Sequence, residues 1–268
     1  VEFVITASVG VAVYPVDGED PETLIKNADI AMYTAKNKGK NEYAFCSPKM
    51  KNDVVKKMKL TNKLYRAMEN NELYLQYQPQ INAQTKEIIG FEALLRWNNA
   101  EYGLVSPEVF IPLAETTGMI IPIGLWVFKT VCEQCEMCRK VFNKNYRISI
   151  NLSLEQLKDA NFIRQISKII EDTNTVPEHL QIEITESIAF NQESYVLQRI
   201  KEIKDLGITI AIDDFGTGHS SLSRLRTFPI DLIKIDIEFV QGISTNSHKE
   251  KEIIKSIIQL SKNLGIGV

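Results

Sequence analysis

Histidine is nearly absent from this chain, three residues in 268, and cysteine is sparse at four. Zinc centres draw mainly on those two types, so the composition argues against one. His179, His219 and His248 are too isolated to form a ligand set. Cys132, Cys135 and Cys138 do cluster, but inside a helical pattern over residues 123–141, where a spacing of three stacks small apolar side chains along one face. No Gly or Pro follows to build a metal-binding loop and no fourth Cys lies nearby. They read as buried free thiols in a reducing, cytoplasmic setting. An excess of either charge is also lacking: 31 basic against 34 acidic residues leave −3. Nonspecific binding to a DNA or RNA polymer or to an anionic membrane is therefore not expected, and any anionic ligand must be held locally. The longest apolar run, residues 119–128, is broken by Pro122 and falls far short of the ~20 residues that span a bilayer. Pro and Gly are not enriched, so disorder is not expected. The opening Val-Glu-Phe-Val-Ile-Thr has no initiator Met, basic n-region or cleavage site, which suggests a start inside a longer polypeptide.

What is present divides unevenly. Residues 3–14 alternate as a strand, and Pro15-Val16-Asp17-Gly18 makes a turn. Leu24, Ala28, Ala31, Met32 and Ala35 then mark one helical face, ended by Gly39, before an extended pattern resumes at residues 41–45. A unit of about 45 residues is too small to hold a stable core alone. Residues 47–62 are basic and polar and predict a helical connector with a solvated face. Beyond it, strand-length apolar runs at 73–81, 87–97, 147–151, 180–185, 208–213 and 231–236 alternate with amphipathic helices. Two of those helices are clear, one through Val196, Ile200 and Ile203 before Gly207, the other through Ile253, Ile257, Leu260 and Leu264 before Gly265. The alternation predicts a largely parallel sheet, doubly wound or closed as a (β/α)8 barrel.

Several strands end in polar residues that are costly in a core: Asn151, Glu183, Asp213-Asp214, and Lys234 with Asp236. Glu92 interrupts the apolar Phe91-Glu92-Ala93-Leu94-Leu95. In a barrel the C-terminal strand ends line one mouth, where active sites are built. Glu92, Glu183, Asp213 and Asp214, read as arriving on separate strands, would repel one another without a cation. Mg²⁺ or Mn²⁺ suits them, because hard divalent ions take oxygen ligands, here carboxylates and the Asn151 carbonyl. The turn Phe215-Gly216-Thr217-Gly218-His219-Ser220-Ser221 follows the two acids directly and fits a phosphate or lid loop.

In order, Glu92-Ala93-Leu94-x-Arg96, Asn151-Leu152-Ser153, Glu183-x-Thr185-Glu186, Asp213-Asp214-Phe215-Gly216-Thr217-Gly218 and Lys234-Ile235-Asp236 resemble the motifs of EAL domains, the phosphodiesterases of cyclic di-GMP. The resemblance implies a TIM-like (β/α)8 barrel whose first strand runs antiparallel to the second, as residues 73–81 beside 87–97 would. It also implies metal-dependent hydrolysis to linear pGpG in second-messenger signalling. By the same likeness Glu92, Asn151, Glu183 and Asp213 are metal ligands, and Asp214 is a ligand of a second ion. Lys234 orients the attacking water, and Glu186 anchors the loop at residues 215–221. Gln78 and Arg96 contact substrate, with Arg96 at a phosphate, where its fork can meet two oxygens. Two ions could clamp the attacking and leaving oxygens of an in-line displacement.

Residues 1–45 similarly resemble the end of a GGDEF, diguanylate cyclase, domain through Ala7-Ser8-Val9-Gly10-Val11-Ala12, Tyr14-Pro15, Ala28-Asp29 and Tyr33-Thr34-Ala35-Lys36, with Lys36 and Lys40 at phosphate-contact positions. The implied organisation is a GGDEF remnant at 1–45, a helical linker at 46–62 and an EAL domain at 63–268. Homodimerisation and upstream GGDEF or sensor domains follow by analogy, as does a membrane anchor in the parent protein. The family pattern continues past Val268 into a strand end carrying the glutamate assigned as general base, then a helix and a last strand. The barrel is therefore expected to be incomplete at its C-terminus. His219 stands where Tyr is common. Loss of that base and of the closing strands makes an inactive, truncated chain one alternative, and two other functions compete with hydrolysis. A noncatalytic cyclic di-GMP receptor or interaction module would often have replaced one of these acids, and none is replaced. A barrel glycosidase would need its carboxylates on opposing sides of a sugar, whereas Glu183 and Glu186 adjoin one strand end.

Overall fold

The computed structural model describes residues 6–39, 41–142, 144–191, 194–217, 225–244 and 248–268. The chain separates into two compact units, Val1–Arg66 and Ala67–Val268. In the first, β1 (Val9–Val11) pairs in parallel with β2 (Tyr43–Phe45) around α1 (Pro21–Lys38). Asp20 caps α1 by accepting the Thr23 N–H, and Gly39 closes it. The long alternating strand expected over 3–14 is thus a three-residue strand, with Phe3 outside the described residues. Lys36 is exposed on α1, and Lys40 lies outside the described residues. The basic connector is helical, as α2 (Pro48–Ala67).

The second unit is built on one sheet ordered β3 (Leu73–Ile81), β4 (Ile88–Asn99), β6 (Arg147–Asn151), β7 (Leu180–Thr185), β8 (Thr209–Phe215), β9 (Leu232–Ile235). β3 and β4 run antiparallel, Leu73 opposite Trp97, and every later pair is parallel. A short β5 (Gly103–Val105) returns along β4, and Leu232 bridges to Gly267 beyond β9. Helices lie between successive strands: α3 (Pro107–Thr116) and α4 (Ile120–Phe142), α5 (Leu154–Lys158) and α6 (Phe162–Thr173), α7 (Glu186–Ala189) and α8 (Ser194–Asp205). After β9 come α9 (Ile237–Ser244) and α10 (His248–Leu264).

Strand periodicity sorts the two faces of this sheet. Ile148, Ile150, Ile182, Ile184, Ile210, Ile212 and Ile233 share the outer face, and each is at most 4% exposed. Each such side chain contributes roughly 1.5–3 kcal/mol by leaving water. On α8 the buried Val196, Ile200 and Ile203 form the predicted stripe. On α10 the stripe differs from expectation, because Ile257 and Ser261 are buried while Ile253 stands exposed. Cys132 and Cys135 are buried on α4, as their spacing predicts; Cys138 is only half-buried. The opposite parity of every strand faces the mouth, and its residues are mostly polar. Among the described residues no single helix is long and apolar enough to cross a membrane; α3 and α4 together pass on length and composition but bend by 119°.

Candidate metal centre

Local sequence sets each side chain of the mouth in place. β6 stops at Asn151 because Ser153 caps α5 in a reciprocal box with Gln156, while the Leu152 N–H donates to the Glu183 carbonyl at 2.9 Å. β7 ends where Glu186 opens α7. On β8 the backbone of Asp214 turns into the left-handed region at φ 53°, with its N–H on Asp213 Oδ1 at 3.0 Å. Gly216 follows at φ 107°, where a Cβ would meet the Phe239 ring at 2.7 Å. β9 is succeeded by Asp236, which accepts the Glu238 N–H at 2.7 Å in the first turn of α9.

Parallel pairing aligns like-facing residues: Glu92 with Ser149, Asn151 with Glu183, Thr185 with Asp213. Carboxylate oxygens of Glu92, Glu183 and Asp213 consequently lie within 4.8 Å of one another, a group that could hold a metal ion. Their burial is graded, with side-chain exposures of 15%, 0% and 22%. Lys234 reaches all three. Its ammonium lies 3.0 Å from Glu92 Oε2 and 3.1 Å from Asp213 Oδ1, and it also donates to Glu183 Oε2. Burial opposes the lysine's charge, but Glu183, then Asp213 and Glu92, outweigh it and hold the ammonium above the usual lysine range. Burial raises Glu183, with Glu92 adding to the effect and Lys234 opposing it.

Asn151 donates Nδ2 to Glu92 Oε1 at 2.9 Å, which leaves its side-chain carbonyl outside that bond. Asp213 and Asp214 are consecutive on one strand, contrary to the expectation of separate strands. Strand alternation therefore sends only Asp213 into the cluster of three. Asp214 instead meets Asp236: burial and the charges of Asp213 and Asp236 raise it above the usual aspartate range. Although Asp214 is exposed, two like charges beside it fix that direction. Asp236 was legible only as the end of Lys-Ile-Asp; its pairing depends on the bulge that shifts the β8–β9 register between Ile212 and Phe215.

Glu186 is 3% exposed and accepts the Gly216 N–H at 2.7 Å, joining α7 to the turn after β8. Gly218, His219, Ser220 and Ser221 lie outside the described residues. Gln78 is exposed directly opposite Glu92. Arg96 lies four residues beyond Glu92 on the same face; its Nε donates to Gln76 Oε1 at 2.8 Å and its Nη1 to the Leu95 carbonyl at 3.0 Å. His179 ends a 3₁₀ turn at Pro177–His179, away from the cluster's strand ends.

Residues 61–268 match the EAL domain family. The chain belongs to that family. Residues 1–42 match the diguanylate cyclase, GGDEF domain. Along all of its length the chain is 36% identical to the bifunctional diguanylate cyclase/cyclic di-GMP phosphodiesterase MucR of Pseudomonas aeruginosa. It is 35% identical to the cyclic di-GMP phosphodiesterase PdeR of Escherichia coli, again over its whole length. It spans 39% and 40% of those two proteins. Among solved structures, the PaMucR phosphodiesterase in complex with c-di-GMP superposes with a TM-score of 0.74 at 35% identity, covering 78% of this chain and 84% of that one. EAL structural neighbours of this kind are TIM-like barrels, so the antiparallel opening pair and the parallel strands after it are the expected barrel order.

Proposed function

We propose that the EAL region hydrolyses cyclic di-GMP to linear pGpG, with Mg²⁺ or Mn²⁺ as a two-ion cofactor. The observation that carries this reading is the convergence of Glu92, Glu183 and Asp213 on one point at the C-terminal strand ends. The names of MucR and PdeR support the substrate. The donor set is all oxygen once Asn151 is included, which suits hard divalent ions. Glu92, Asn151, Glu183 and Asp213 would hold one ion, and Asp214 with Asp236 the second. When bound, such ions lower the pKa of water and offset the negative charge that develops on the phosphodiester.

The chain's own residues supply the rest. In the hydrolysis one phosphodiester P–O bond breaks, water giving its oxygen to phosphorus and a proton to the released ribose oxygen. Lys234 keeps a positive charge beside the cluster and orients the attacking water. Arg96, its guanidinium plane set by Gln76 and the Leu95 carbonyl, meets a phosphate with its remaining donors. Gln78 contacts the substrate from across β4. Glu186 holds the turn after β8 through the Gly216 N–H. Domain boundaries at 1–45, 46–62 and 63–268, a homodimer, and GGDEF or sensor domains upstream complete the proposal.

Incubation with cyclic di-GMP and Mg²⁺ or Mn²⁺, followed by chromatography, tests the reading. Linear pGpG should form with metal, disappear with a chelator, and be lost in Glu92→Ala. Tight binding of cyclic di-GMP without product, here and also in a chain extended through the strand end that carries the family's general-base glutamate, would replace this reading with that of a receptor.

A further inference from the structure

Barrels of this type ordinarily fill their interior with branched apolar side chains. Here the layer beneath the carboxylates is polar. Ser149 and Gln181 are both 0% exposed and stand directly opposite each other on β6 and β7. Burying uncharged polar side chains costs free energy unless hydrogen bonds replace those lost to water. The contacts made here lead to one carboxylate. Gln80 Nε2 donates to Ser149 Oγ at 3.4 Å, and the Ser149 hydroxyl lies close enough to Glu183 to favour its charged form. Gln181 Nε2 reaches Glu183 Oε1 at 3.5 Å. Gln181 Oε1, meanwhile, is buried without a hydrogen-bond partner. An orphan acceptor of that kind costs roughly 1–3 kcal/mol, so Gln181 is a poor choice for packing alone.

We propose that Ser149 and Gln181 are positioning residues that hold the Glu183 carboxylate from below. This rests on reading the cluster as a metal site. Glu183 divides its oxygens between two tasks: Oε1 is engaged by the amide of Gln181, while Oε2 faces the point where Lys234 sits between the three acids. Glu92 and Asp213 repel Glu183, and a carboxylate free to rotate would relax away from them. Donors fixed beneath it oppose that rotation and keep one oxygen aimed at the shared centre. Such outer partners typically tune metal affinity by 10–100-fold.

Titration of the protein with Mn²⁺ alone, followed by calorimetry, tests the inference without relying on turnover. Gln181→Leu keeps the side chain's approximate size and removes the donor; Ser149→Ala removes one oxygen and no carbon. Both variants should bind Mn²⁺ about 10–100-fold more weakly, while the metal-free melting temperature of Gln181→Leu stays level or rises because the orphan oxygen is gone. A purely structural role predicts the reverse, a lower melting temperature with unchanged Mn²⁺ affinity, and that result overturns the proposal. Should Gln181→Leu fail to fold, Ser149→Ala decides alone: unchanged affinity there overturns it. A wild-type protein that binds no Mn²⁺ overturns the metal-site reading itself, a different outcome from equal binding by wild type and variants.

Discussion

Lys234 is the residue on which the mouth of the sheet turns. Three carboxylates drawn together by strand register need a positive charge, and the ammonium supplies it by pairing with all three. Removing one partner from a buried ionic cluster costs about 3–5 kcal/mol, somewhat less here because the mouth is partly open to water. Lys234→Met should therefore lower the metal-free melting temperature and be stabilised by Mn²⁺ more strongly than the wild type. Equal Mn²⁺-induced shifts in the two proteins would show that the lysine does not stand in for a cation. Arg96→Lys is a second test at this scale. The planar fork is lost while the charge stays, so KM for cyclic di-GMP should rise with the metal requirement unchanged. An unaltered KM would remove Arg96 from the proposed substrate contacts.

At the level of elements, the turn after β8 is held from two sides, by the Glu186 carboxylate and by the close approach of Phe239 to Gly216. A side chain at Gly216 would meet both the ring and a positive φ, a strain of about 1–2 kcal/mol before the clash is counted. Gly216→Ala should lower both melting temperature and turnover, measured side by side; a variant matching the wild type in both would mean the turn adapts freely. Helix α4 offers a separate test. Burial pushes the Cys132 thiol up to about 11 and Cys135 up to about 12. Native protein at pH 7.5 should leave both unlabelled by iodoacetamide until it is unfolded. Since the unfolded chain ionises these thiols near pH 9, their contribution to stability is complete below that pH and declines as the pH rises above it. Rapid native labelling of either thiol would contradict the packing of α4 against the sheet.

Across the whole molecule, much was readable in the residues. Period-two apolar runs and i, i+4, i+7 stripes located the sheet strands and α8, because burial of one face leaves a strong periodic mark. Polar residues at strand ends marked the mouth for the opposite reason, being costly anywhere else. The short β5 and the small α5 and α7 left no such mark; they bury few side chains and depend on caps and register. Register likewise decided what spacing could not. Asp213 joins the cluster while its neighbour Asp214 turns to Asp236, and Ser149 and Gln181 become meaningful only when pairing sets them beneath Glu183. Above all, the cluster is proposed to be a metal centre that drives hydrolysis of cyclic di-GMP. The most direct test is the Mn²⁺ dependence of pGpG formation in the wild type, in Asp213→Asn, and in Glu155→Gln, whose carboxylate pairs with Lys158 on the exposed surface of α5. Asp213→Asn should lose more than about 100-fold in activity at fixed Mn²⁺, beyond what loss of an outer partner causes, while Glu155→Gln keeps the wild-type curve. Metal-independent product, or an Asp213→Asn protein as active as the wild type, would contradict the account.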